Sequence, residues 1–175
     1  MTDTKWLIAR EIPRLRRYAL ALVGDPVLAD DLVQDTLERA IRKRHLWRRR
    51  GSLRSWLYRI LYNVFLNQSA HRRRRRDEVD IDVVPEQAEP SSQDIRLEYK
   101  EIAVAMARLP AEQRAAIALV AIEGLAYDEA SSILGIPIGT LRSRIARGRE
   151  RLRELCPIEP AEPARPPTAH LRRVK

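Results

Sequence analysis

The stretch from Leu125 to Leu155, LAYDEASSILGIPIGTLRSRIARGRERLREL, constrains this chain more than any other. It reads as two helices around a tight turn. The first is expected over about Tyr127–Leu134, with Gly135 supplying the turn. Pro137 follows at a helix start, where a missing N–H is harmless. The second helix is expected over about Ile138–Leu155. At about 100° per residue, Leu141, Ile145, Gly148 and Leu152 fall on one narrow stripe that has to face a core. Thr140, Ser143, Arg144, Arg147 and Arg151 fall on the opposite side, and Arg142, Arg149 and Arg153 form a second flank. Taken alone, an arginine-rich amphipathic helix can be no more than a solvated face. The helix before it has small Ala130 at its middle and Ile133 and Leu134 to bury, so the pair reads as a helix-turn-helix. Its second helix suits a DNA major groove, where guanidinium groups reach phosphates and can fork onto guanine edges.

Charge points the same way. The 175 residues carry a net charge of +9, which favours an anionic partner, nucleic acid or a membrane surface. Glycines and aromatics are few, and Ala, Leu, Arg and Glu dominate, so the chain is expected to be all-α. A single cysteine, Cys156, excludes an intramolecular disulfide and suits a reducing cytoplasm. No apolar run is long enough to span a bilayer, and the charged N-terminus does not read as a signal peptide.

Upstream, Thr4 to Val23 reads as a helix with Leu7, Ile8, Ile12, Leu15, Ala19 and Leu22 to bury, and Pro13 marks a kink or its true start. After Gly24, Asp25 is a cap candidate and Pro26 opens a second helix to about Leu46. Ala29, Val33, Leu37, Ala40 and Ile41 share one face of it, and Asp31, Gln34, Asp35 and Glu38 lie opposite. That acidic face serves either solubility or the docking of a basic protein. Charge then inverts from Arg42 to Arg50. Ser52 can cap a third helix from about Leu53 to His71, with Trp56, Leu57, Ile60, Leu61, Val64 and Phe65 to bury, and Arg72 to Arg76 close it. Tyr58, Arg59, Tyr62, Asn63 and Asn67 interleave with that core face. A basic loop, an aromatic-bearing helix and an arginine run are the ingredients for holding a nucleic-acid single strand, although Trp56 and the tyrosines also suit a plain core.

Residues 77–94, DEVDIDVVPEQAEPSSQD, hold seven acids and no basic residue, and read as an acidic flexible linker between two small helical domains. Ile95 to Leu109 and Pro110 to Ile122 then give two helices ahead of the helix-turn-helix, and the proline-rich tail after Cys156 is expected to be disordered. No catalytic constellation is visible. His45, His71, His170 and Cys156 are scattered without metal-ligand spacing, there is no phosphate-binding glycine loop, and no cofactor is expected.

In this order, DDLVQDTLERA, SLRSWLYRILYN, LPAEQRAAIALV and EGLAYDEASSILGIPIGTLRSRIARGRERL resemble the extracytoplasmic-function group of bacterial sigma factors over about residues 10–155. The resemblance implies a region 2 helical bundle (1–76), the acidic linker (77–94), a region 4 helix-turn-helix domain (95–155) and an extra tail (156–175). It further implies that Asp31, Gln34, Asp35 and Glu38 dock on the clamp of the RNA polymerase large subunit. Arg50, Ser52, Arg54, Trp56, Arg59, Asn63 and Asn67 would hold the minus-ten promoter element as an unpaired strand. Thr140, Arg142, Ser143, Arg144, Arg147 and Arg151 would read the minus-thirty-five element. An anti-sigma protein is the implied regulator, and the implied product is a cytoplasmic promoter-specificity factor, not an enzyme. Ala126 stands where the family often has a capping serine, with Glu129 left to support the first turn. Ala146 is small where a bulkier residue can face DNA. A stand-alone helix-turn-helix regulator and an arginine-rich RNA-binding protein are the competing readings.

Overall fold

The computed structural model describes residues 4–47, 52–78 and 95–156, which form seven α-helices and no strand. Arg50, the stretch 79–94 and the tail from 157 lie outside the described residues.

The N-terminal bundle consists of α1 (Thr4–Val23), α2 (Pro26–Arg42) and α3 (Leu53–Glu78). α1 runs unbroken through Pro13. Gly24 turns the chain at φ +76°, and Asp25 caps α2 by accepting from the Leu28 N–H at 2.8 Å, with Pro26 as the first helical residue. α2 ends at Arg42, earlier than its periodicity predicts, and Arg44–Leu46 tighten into a 3₁₀ turn. Its buried face is Ala29, Leu32, Val33, Thr36 and Ala40, and the Thr36 hydroxyl donates to the Leu32 carbonyl. Ile41 and Ile12, both expected inside, are 40% and 36% exposed. α3 overshoots the expected end at His71 and carries the arginine run inside the helix. Arginine is a good helix former, and no glycine or proline interrupts the chain between Ser52 and Pro85.

The C-terminal domain consists of α4 (Ile95–Ala107), α5 (Ala111–Ile117), α6 (Tyr127–Leu134) and α7 (Ile138–Leu155). Arg114 of α5 donates to the Ala107 carbonyl at 3.0 Å and so satisfies the end of α4. The helix expected to continue to Ile122 changes hand-hold at Ala118. Residues Ala118–Ile122 form a π-helical segment in which the Glu123 N–H reaches the Ala118 carbonyl at 3.0 Å. Gly135, at φ +67°, ends α6 in the left-handed conformation and sets the turn of the helix-turn-helix. No side chain caps α6 at Ala126. Glu129, expected to support that first turn, instead accepts a hydrogen bond from Ser55 of α3.

One continuous apolar core runs through both domains, from Ile8, Leu15 and Leu22 through Leu57, Leu61 and Phe65 to Leu119, Ile133, Leu141 and Ile145. α1 packs on α4, α5 and the π segment, and α3 packs on α6. Within the C-terminal domain, α7 crosses α5 closely at Gly148. A Cβ there would lie 2.5 Å from Ile117 Cδ1 and 3.3 Å from Gln113 Cβ. Gly148→Leu is therefore expected to lose about 1–3 kcal/mol of stability through overpacking, read as a lower denaturation midpoint at unchanged slope.

Candidate nucleic-acid interface

The two domains meet around one carboxylate. Glu123 follows the π-helical segment directly, and its side chain is fully buried. Arg17 of α1 donates from Nε and Nη2 to its two oxygens at 2.7 and 3.0 Å, a bidentate fork. Arg54 of α3 donates to Oε2 at 3.2 Å and also to the Glu123 main-chain carbonyl. The Tyr58 hydroxyl donates to the same Oε2, while its ring meets Tyr18 edge-on at 5.2 Å. Burial alone would push the Glu123 carboxyl up. The hydrogen bonds from Arg17 and Tyr58 and the Arg17 charge outweigh it and hold the group below its ordinary value. Burial, and then the bond to Glu123, push the Tyr58 phenol well up, so it stays a donor. Two further links cross the seam along α3. Ser55 donates to Glu129, and Arg59 donates to the Ser132 carbonyl and hydroxyl at 2.8 and 2.9 Å.

The residues expected on the minus-ten strand therefore divide. Asn63 and Asn67 are exposed on α3, and Ser52 is exposed at its start, accepting from the Ser55 N–H at 3.4 Å. Arg54 and Arg59 are tied to the C-terminal domain. Trp56 is half-buried against the core. Tyr58 and Tyr62 are buried, so neither offers a ring to a base in this arrangement.

On α7, Arg142, Ser143, Arg147 and Arg151 are exposed and Thr140 is half-buried. Arg151 pairs with Glu154 at 2.8 Å on the same helix. Arg144 differs from its neighbours. Only 22% of its side chain is exposed, and it pairs with Glu112 of α5 at 2.9 Å. It also faces the N-terminal bundle: burial raises the Tyr62 hydroxyl, and Arg144 opposes that rise.

The acidic face of α2 is open. Asp31, Gln34 and Glu38 are exposed, and Gln34 contacts Glu38 at 3.4 Å. Asp35 is half-buried and accepts from Gln68 of α3 at 2.9 Å. Among the described residues no group of acids, histidines or cysteines could hold a metal ion, and no helix is long and apolar enough to cross a membrane.

Residues 8–62 match the family described as the Sigma2 domain of PhyR, and residues 99–152 match Sigma-70, region 4. The chain is 36% identical to the ECF RNA polymerase sigma factor EcfG of Rhodopseudomonas palustris, over 89% of this chain and 86% of that one. It belongs to the extracytoplasmic-function sigma factors. As such it is an alternative RNA polymerase sigma factor, and the reading as a stand-alone regulator is not favoured. Solved structures agree. The sigma factor RpoE of Bartonella quintana, in complex with the anti-sigma factor NepR, superimposes with a TM-score of 0.74 at 35% identity, over 89% of this chain and 97% of that one. CnrH, in complex with the cytosolic domain of CnrY, superimposes with a TM-score of 0.64 at 27% identity, over 86% of this chain and 84% of that one.

Sequence reasoning missed Glu123 as a site residue. The only signal was an acid placed between an apolar run and a helix-ending glycine. Because its carboxyl is held low in the docked protein, its stabilising contribution is complete above the unfolded value of about 4.3 and is lost as pH falls through the lower folded value. At pH 7, Glu123→Gln is expected to be about 1.5–3 kcal/mol less stable than the wild type. In thermal melts, the gap between the two should close as pH drops below about 4.

Proposed function

We propose that this sigma factor divides its work as its exposed surfaces do. The α2 face of Asp31, Gln34, Asp35 and Glu38 docks on the clamp of the polymerase large subunit. Arg54, Trp56, Arg59, Asn63 and Asn67 of α3, with Ser52 at its start and Arg50 shortly before it in sequence, hold the unpaired minus-ten strand. Thr140, Arg142, Ser143, Arg144, Arg147 and Arg151 of α7 read the minus-thirty-five element. In this reading residues 1–76 are the region 2 unit and 95–155 the region 4 unit, and the chain acts in the cytoplasm beside the polymerase.

One observation carries the proposal. The acidic face of α2 is uncovered while Arg54, Arg59 and Arg144 are engaged across or beside the seam. Polymerase can therefore dock first, and these three arginines of the promoter-reading sets become available when the domains part. Reach demands the same order. Two elements centred about 25 base pairs apart lie about 85 Å apart along the duplex. A compact body of this size has a radius of gyration of only about 16 Å. Fully extended, the segment 79–94 covers at most about 55 Å, enough to carry the two domains onto separate elements.

An anti-sigma protein is the proposed regulator. The support is the two similar sigma factors whose structures are complexes with anti-sigma proteins.

The test is initiation by core polymerase freed of other sigma factors, on a library of upstream DNA. Discrete start sites that depend on this protein, each preceded by two spaced elements, are expected. DNA binding without such starts would refute the assignment. Arg144→Ala should cost about 1–3 kcal/mol at promoters carrying the preferred base and little elsewhere; an equal loss on all sequences would make Arg144 a phosphate contact. Asp31→Arg, on an exposed position, should weaken binding to core polymerase, and pull-down with purified core reads this directly. Promoter binding should fall steeply with added salt as counterions are released.

A further inference from the structure

The groups around Glu123 are an anion clamp built by the N-terminal bundle alone: the Arg17 fork, the Arg54 guanidinium and the Tyr58 hydroxyl. Such a donor set suits a phosphate oxygen as well as a carboxylate. The clamp does not end at Glu123. From Arg17 and Arg54 an open groove of about 710 Å³ continues along α1 to the start of α3, lined by Arg10, Arg14, Ser52 and Leu53. Its one acid, Glu11, is paired with Arg14 at 3.5 Å. Arg10 lies 4.9 Å above the ring of the exposed Trp6. A solvated groove carrying four arginines therefore ends on Arg17 and Arg54, the two that hold the Glu123 carboxylate, at the first turn of α3 assigned above to the minus-ten strand.

We propose that this clamp is a binding place for a backbone phosphate of the unpaired promoter strand. Glu123 occupies it in the closed protein, so domain closure and strand binding exclude each other. The inference rests on the reading of α3 as the strand-holding helix.

Charge makes the exchange feasible. A carboxylate and a phosphodiester each carry one negative charge, so replacing one by the other leaves the charge balance around Arg17 and Arg54 unchanged. Breaking a buried ion pair without replacement is strongly unfavourable, whereas its net worth against a good substitute is small. Glu123 regains water as it leaves. The lock is thus firm in the absence of a strand and yields to one. The same closure ties Arg59 to Ser132, so entry of a strand at the clamp also frees a second arginine of the strand-holding set.

Two substitutions separate this from a purely structural lock, because they agree on one readout and disagree on the other. Glu123→Gln removes the charge that fills the clamp, and Arg17→Ala removes half of the clamp itself. Both should open the full-length chain, seen as a larger radius of gyration in small-angle X-ray scattering. Binding of a fluorescein-labelled random single-stranded DNA pool, followed by anisotropy, should then diverge. If the closed form outweighs the open one about ten to one, Glu123→Gln tightens binding about tenfold. Arg17→Ala binds no better than the wild type despite being open. Equal tightening in both variants would overturn the proposal, as would an open Glu123→Gln that binds no better or a Glu123→Gln that stays closed. If Glu123→Gln does not fold, Glu123→Asp replaces it, with weaker closure and tighter strand binding expected, while Arg17→Ala, altered at a half-exposed side chain, still refutes the proposal if its strand binding tightens. Asn63→Ala, run beside these in promoter-directed initiation, checks the underlying reading. Lost initiation there with an unchanged Glu123→Gln refutes the phosphate place alone; unchanged initiation refutes the assignment of α3.

Discussion

The arrangement of this sigma factor depends on a single carboxylate that leaves water. Glu123 is delivered by the π-helical segment Ala118–Ile122 into a seam lined by Arg17, Arg54 and Tyr58 of the other domain. A buried charge without partners would be prohibitively costly, so the docked state requires all of these donors in place at once. Around the polar centre the seam is apolar: Tyr18 and Tyr58 meet edge-on, and the core of the N-terminal bundle continues into Leu119 and Ile133. Apolar contact holds the domains together, while the carboxylate fixes their register, because only one placement satisfies its oxygens.

What this closure covers and what it spares gives the protein its logic. The residues engaged across or beside the seam, Arg54, Arg59 and Arg144, belong to the sets proposed to touch DNA. Asp31, Gln34 and Glu38 of the set proposed to touch polymerase are exposed, and so are Ser52, Asn63, Asn67, Arg142, Ser143, Arg147 and Arg151 of the DNA sets, so closure withholds only part of the proposed DNA-reading surface. A chain with a net charge of +9 would otherwise bind nucleic acid without discrimination. In the proposed order of events, pairing part of that charge internally until polymerase arrives would limit such binding. An anti-sigma protein that favours the closed form would reinforce the same equilibrium, since a ligand shifts a conformational balance by its preference for one state.

Much of this was legible in the amino-acid order, and the exceptions have physical reasons. The helix-turn-helix bounds, the left-handed Gly135, the Asp25 cap and the buried stripe of Leu141, Ile145 and Gly148 all follow from local rules of capping and period, and the structure contains them. The end of α3 was misplaced because an arginine run reads as a boundary by charge but continues a helix by propensity. The exposure of Ile12 and Ile41 shows that period alone does not say how wide a buried face is. Glu123 was invisible because its partners lie 65 to 106 residues away. Tyr58 and Tyr62 read equally as base-stacking or as core, and only the docked geometry shows them covered. The family resemblance supplied the functional division, but not the fact that one domain sits on the other.

The central claim is that the closed form must open for the promoter to be read. Its most direct test is the distance between the domains in a complex that is initiating transcription. Fluorescent labels at the exposed positions Leu20 of α1 and Arg149 of α7, placed by cysteine substitution in a Cys156→Ser background, report that distance by energy transfer. High transfer in the free protein, falling when core polymerase and promoter DNA are added and a transcript appears, is the predicted result. Transfer that stays as high in the initiating complex as in the free protein would contradict it.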